Sequence, residues 1–61
     1  MITLTKLNDQ RFALNYHKIE TIQENPDTTI KLSNGNTYIV KESLEEIVNM
    51  IYRNEKGIRR A

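Results

Sequence analysis

The chain has no cysteine, one histidine, one proline and two glycines among its 61 residues. Each scarcity removes a class of protein. Without cysteine there is no disulfide, and with a single histidine an ordinary structural zinc site is excluded as well. Gly35 and Gly57 are the only glycines, and each has a turn role to fill, so there is no Gly-rich loop to cradle a phosphate. No apolar run approaches the roughly 20 residues that a membrane-spanning helix needs. The opening MITLTKLN lacks the basic start and long apolar stretch of a signal peptide. The formal net charge of +1 gives no automatic pull toward nucleic acid or an acidic partner. A soluble, intracellular protein with no cofactor is expected. A chain this short holds one domain and buries a modest core, so self-association or docking on a larger assembly is its remaining way to add buried area.

The local signals along the chain agree with one another. Ile2 and Leu4 alternate with Thr3 and Thr5, the pattern of a half-buried strand. Asn8-Asp9-Gln10 is a polar turn, and Phe12 and Leu14 alternate again, so Met1 to Leu14 reads as a hairpin. Asn15 is placed to cap a single helical turn through Tyr16, His17 and Lys18. Ile19 and Ile22 sit three apart, which breaks strand alternation and predicts a turn or bulge leading into a short strand, Glu20 to Gln23. Asn25-Pro26-Asp27 stops that strand, because proline cannot donate in a ladder.

The second hairpin admits two registers. A two-residue turn at Asn34-Gly35 pairs Ile30 with Ile39. A three-residue loop, Ser33-Asn34-Gly35 with Gly35 left-handed, pairs Ile30 with Tyr38 and collects Ile30, Leu32, Tyr38 and Val40 on one face. The second is preferred, since one face must meet the helix. It leaves Ile39 on the other face. Ser43-Leu44-Glu45-Glu46 matches a capping box, and Leu44, Ile47, Val48 and Ile51 follow as one apolar stripe. Gly57 is placed to end the helix, with Ile58 as its apolar contact beyond the cap. The expected fold is α+β, a single domain over residues 1–61. Four to five short antiparallel strands, as two hairpins, occupy about 1–41; whether they roll into a partial barrel or stay an open sheet under the helix is left open. One amphipathic helix spans about 43–56 and packs on them, and a basic tail covers 57–61.

No residue set points to catalysis. His17 has neither a nucleophile nor a second ligand near it in sequence and is expected as a surface or turn histidine. Glu42, Glu45 and Glu46 lie at the start of a helix, where its dipole favours negative charge, so capping accounts for them. Catalytic, cofactor and metal residues are therefore none, and an enzyme is not expected. Arg53, Lys56, Arg59 and Arg60 gather at the helix end. Dipole complementarity and a solvated tail explain them first; their functional reading is an electrostatic contact with anionic phosphate, a membrane surface or an acidic partner. Ile39, Met50 and Tyr52 are the candidate partner interface.

MITLTKLN, the F-x-LN of Phe12 to Asn15, IETI at Ile19 to Ile22, the PDT of Pro26 to Thr28, the NG turn and YIVKES at Tyr38 to Ser43 occur in a particular order and spacing. Together they resemble the FlbD family of small flagellar proteins, known also by the swarming motility protein SwrD, over nearly the whole chain. The resemblance implies a cytoplasmic protein, with a peripheral place at the flagellar motor left open. It implies a need for it in full motility and a link to motor power through the stator, with flagellar motor proteins as partners. Self-association stays open as well. The family often carries an acidic or small residue where Tyr16 and His17 stand, a difference expected to touch only a loop surface. A second class stays open. IETI…TIKLSNG-x-TYIVKESLEEI is similar to the core of LytTR-type DNA-binding domains, and size and strand order resemble the RNA binder CsrA. A nucleic-acid binder shows a concentrated basic face, whereas Lys6, Arg11, Lys18, Lys31 and Lys41 are dispersed among acids.

Overall fold

The computed structural model describes residues 1–59, with side chains described as far as Lys56. In chain order the elements are β1 (Ile2–Thr5), β2 (Arg11–Leu14), a 3₁₀ turn (Tyr16–Lys18), β3 (Ile19–Glu24), β4 (Thr28–Leu32), β5 (Thr37–Val40) and α1 (Leu44–Arg59). The fold is α+β. β1 and β2 form a two-stranded antiparallel sheet, and β3, β4 and β5 a three-stranded one in that order. The two sheets meet at one antiparallel bridge, Lys6 with Val40. Among the described residues the strands do not close into a barrel.

Both hairpins close in the same way. In the second, Ile30 pairs with Tyr38, Leu32 N donates to Asn36 O at 2.8 Å and Gly35 N donates to Leu32 O at 2.9 Å. Gly35 has φ +95°, so the preferred register and its left-handed glycine are what forms. In the first, Lys6 N donates to Gln10 O at 2.8 Å and Asp9 N to Lys6 O at 2.9 Å, with Asp9 at φ 74°. Asn8 and Asn34 play matching parts: each Oδ1 accepts from the amide two residues on, Gln10 at 3.0 Å and Asn36 at 2.9 Å. Short polar side chains supply this Asx geometry and make the turn without a long loop.

Asn15 caps the 3₁₀ turn, its Oδ1 accepting from His17 N at 3.1 Å. The irregular spacing of Ile19 and Ile22 resolves as a bulge: Ile19 pairs with Leu32 but Thr21 with Lys31, leaving Glu20 as the extra residue. β3 then runs longer than expected, from Ile19 to Glu24, and ends before Asn25-Pro26, whose peptide bond is cis.

The core is Ile2, Leu4, Leu14, Tyr16, Ile30, Leu32, Val40 and Ile47. Alternation places Thr28, Ile30 and Leu32 of β4 inward and Lys31 outward. Leu4, Ile30, Val40 and Ile47 are fully enclosed, each stabilising the fold by about 1.5–3 kcal/mol. The helix begins on the expected capping box: Glu46 N donates to Ser43 Oγ at 3.1 Å and Ser43 N to Glu46 Oε1 at 2.8 Å.

Three expectations about packing need correction. The helix does not end at Gly57 but runs to Arg59; glycine in a last turn costs only about 1 kcal/mol relative to alanine. Residues 57–59 therefore belong to the helix rather than to a tail. Val48 is not part of the buried stripe: it is 51% exposed. The inward face is Ile47, Met50, Ile51 and Asn54, rotated by about 60° around the helix from the expected one. Tyr16 does not sit on a loop surface; it is 7% exposed and belongs to the core.

Candidate functional site

The joint between the two sheets is built by groups far apart in sequence. Thr5 lies in a non-hydrogen-bonded position relative to β2, so its amide and carbonyl face away from that strand. Lys41 N donates to Thr5 O at 2.8 Å. Thr5 N donates to Glu42 Oε1 at 2.9 Å, and Thr5 Oγ1 donates to Glu42 Oε2 at 2.8 Å. Partial burial pushes the Glu42 carboxyl pKa up, but the hydrogen bonds from Thr5 and the nearby Arg11 charge outweigh this. The result lies below the ordinary glutamate range. Glu42 is thus a clamp on β1 rather than a helix-dipole residue like Glu45 and Glu46. Lys41 Nζ donates to Asp9 Oδ1 across the same joint.

A second tie holds the far end of the helix. Asn54 Nδ2 donates to Met1 O at 2.8 Å. The Tyr16 ring is enclosed while its hydroxyl reaches out to the helix and donates to Glu55 Oε2 at 2.6 Å. The Glu55 hydrogen bond, then burial and the Glu55 charge, raise the Tyr16 phenol pKa. His17 is exposed, as expected, and its Nε2 lies 3.7 Å from the same Glu55 oxygen.

The three candidate interface residues face three ways. Ile39 stands on the outward face of the three-stranded sheet opposite Thr29 and is 45% exposed. That face carries a shallow concavity of about 520 Å³ lined by Glu20, Thr21, Gln23, Thr29, Lys31 and Thr37. Met50 is half-buried and lines a smaller groove of about 330 Å³ between the helix and Met1, Ile2 and Thr3. Tyr52 lies about 200° around the helix from Met50 and is 61% exposed. The basic residues separate as well. Arg53 joins Met50 in the groove, whereas Lys56 Nζ sits 5.1 Å from the Tyr52 ring centroid and 3.4 Å from its hydroxyl. The Arg59 side chain and Arg60 lie outside the described residues. The structure therefore does not gather Ile39, Met50 and Tyr52 onto one surface.

Sequence reasoning missed Val48, which joins Tyr52 as a neighbouring exposed apolar residue one turn away. The signal was present: Ile47, Met50, Ile51 and Asn54 also fit helical spacing, but the polar Asn54 hides that alternative. Of the dispersed basic residues, Lys31 pairs with Glu20 at 3.9 Å and Lys41 with Asp9. Lys6 instead lies over the rings of Phe12 and Tyr38, 5.5 and 5.8 Å from their centroids. Among the described residues no group of three or more His, Asp or Glu side chains is placed to hold a metal ion. No helix there is long and apolar enough to cross a membrane.

What these surfaces describe is a small α+β domain whose polar side chains hold its own parts together and whose exposed apolar side chains lie on separate faces. The chain belongs to the FlbD family of flagellar and swarming motility proteins, whose profile matches residues 1–59. Membership ties the chain to flagellar and swarming motility. No curated protein and no solved structure matches it.

Proposed function

We propose that this protein is a non-enzymatic accessory of the flagellar motor, a small cytoplasmic interaction module that supports stator-derived power by contacting motor proteins. The observation that carries this reading is how the reactive groups are engaged. The Glu42 carboxylate holds Thr5, Glu46 closes the capping box, and the Tyr16 hydroxyl and His17 both lie against Glu55. The exposed large apolar side chains are Met1, Leu7, Ile39, Val48 and Tyr52, and this reading rests on Ile39, Val48 and Tyr52 as contacts. Such side chains serve as anchors in protein interfaces, with tyrosine favoured because it buries a large area at small entropic cost. Arg53 and Lys56 would assist by attracting an acidic partner surface.

The test is a tagged pull-down from motile cells with solubilised membranes and added nuclease, read by mass spectrometry. Stator or rotor proteins recovered from the native chain, and lost from folded Ile39→Asp or Tyr52→Glu variants, are the expected result. Recovery of RNA- or DNA-bound proteins alone, abolished by nuclease, would overturn the reading in favour of nucleic-acid binding.

A further inference from the structure

The outer face of α1 has a pattern that suits one occupant. At about 100° per residue, Val48 and Tyr52 are separated by about 40° around the axis and by about 6 Å along it. They form an exposed apolar centre. Glu45 precedes this centre and Lys56 follows it, and 11 residues at that pitch bring the two within about 20° of each other on the same edge of the face. The face thus reads acidic, apolar, basic from its N-terminal to its C-terminal end. Neither Glu45 nor Lys56 has an ion-pair partner among the described residues, whereas Lys31 and Lys41 do.

A face whose charge reverses about an apolar midpoint is complementary to itself when turned end for end. A two-fold axis perpendicular to the helix near Met50 and Ile51 sets Val48 of one copy against Tyr52 of the other. The same rotation sets Glu45 against Lys56, and by symmetry it does so twice. Symmetric self-pairing of this kind places residue i against j and j against i. A parallel pairing would instead put Glu45 beside Glu45 and Lys56 beside Lys56, which repel.

We propose that the Glu45–Val48–Tyr52–Lys56 face of α1 is a self-association surface on which a second copy of this chain packs its α1 antiparallel. The pairing covers Val48 and Tyr52, satisfies both unpaired charges, and leaves Ile39 and the groove at Met50 open to other partners. It draws on Val48, Tyr52 and Lys56, which the motor-contact reading also uses, so a motor partner and a second copy compete for this face. Sedimentation of the pure chain reports the self-pairing alone, whatever becomes of the motor reading.

Sedimentation equilibrium on the purified full chain tests it, with circular dichroism to confirm folding of each variant. The native chain should show a concentration-dependent monomer–dimer equilibrium, and Tyr52→Glu should weaken it by about tenfold or more. Glu45→Lys and Lys56→Glu should each weaken it by about three- to tenfold at low salt, through two lost pairs and new like-charge contacts. The combined Glu45→Lys/Lys56→Glu chain should return to within about twofold of native, because exchanged charges again pair only in the antiparallel arrangement. A native chain of monomer mass at about 1 mM would overturn the proposal. So would a dimer that the charge exchange fails to rescue. The charge variants alter only exposed positions, so they decide the matter even if Tyr52→Glu perturbs folding.

Discussion

Removing the Glu42 carboxylate should loosen the first hairpin against the rest of the molecule. Its two oxygens accept from Thr5 N and Thr5 Oγ1 at 2.9 and 2.8 Å, and hydrogen bonds to a charged group contribute about 1.5–3 kcal/mol each. The two share one partner residue and the site is only partly buried, so the sum is discounted to about 2–4 kcal/mol for Glu42→Ala, which also leaves the Thr5 amide without a protein acceptor. A chain of this size has a total stability of roughly 3–9 kcal/mol, so the loss is a large part of the whole. Glu42→Gln keeps an acceptor for Thr5 N, and the Thr5 hydroxyl can rotate to accept from the new amide; the cost should fall to about 1 kcal/mol. Urea unfolding followed by circular dichroism measures both. Acid adds a second reading. The folded pKa of Glu42 is depressed, so its contribution is fully present above the unfolded glutamate value of about 4.3 and is lost as pH falls through the folded value. The native chain should lose stability over that interval more steeply than Glu42→Gln does. A Glu42→Ala chain within about 0.5 kcal/mol of native, or identical acid profiles for native and Glu42→Gln, would refute the clamp.

Gly35→Ala should cost about 1–2 kcal/mol, and Gly35→Asn less: nothing lies within 4 Å of an added Cβ, so the penalty is that of holding φ +95° alone. Ile30→Ala should cost about 2–5 kcal/mol in the same unfolding assay, whereas Val48→Ala should stay near 0.5 kcal/mol under dilute, monomeric conditions, because one is enclosed and the other half exposed. Tyr16 has a raised folded pKa, so its contribution is full below about pH 10 and is lost as pH rises through the folded value. Alkaline titration should destabilise the native chain more than Tyr16→Phe.

What could be read from sequence was what is decided within a few residues. The second hairpin was legible because Gly35 alone fits a left-handed position that fixes register. The capping box was legible because Ser43 and Glu46 answer each other three residues apart. The first hairpin was legible as a hairpin, but its identical closure was not, since Asp9 rather than glycine occupies the left-handed position. Glu42 was misread because its partner Thr5 lies 37 positions away, while three acids beside a helix start already had a sufficient local explanation. Tyr16 was misplaced for the same reason: its hydroxyl meets Glu55 39 positions on. Val48 was assigned inward because apolar residues define the stripe in sequence. The structure rotates the helix so that Asn54 turns inward, where it binds Met1 O. Among the candidate site residues, the exposure of Ile39 and Tyr52 was legible from alternation and helical spacing. Their divergence onto different faces was not, because it depends on how the helix sits across the strands.

That divergence gives the sheet joint a consequence beyond stability. Ile39 rides on the three-stranded sheet, while Val48 and Tyr52 ride on a helix tied to the first hairpin through Asn54 and Met1. The ladder between the sheets is one bridge, so beyond the shared core their relative pose is fixed by the Thr5–Lys41–Glu42 junction and the Tyr16–Glu55 contact. A partner that engages the Ile39 face and the helix face together requires that pose to be fixed in advance; otherwise it must supply the ordering itself, at a loss of affinity. Glu42 touches neither face, yet loosening its clamp would change the distance between them. An intact fold with a loosened junction should therefore bind a partner of one face normally and a partner of both faces weakly, which separates the two kinds of contact without altering any contacting residue.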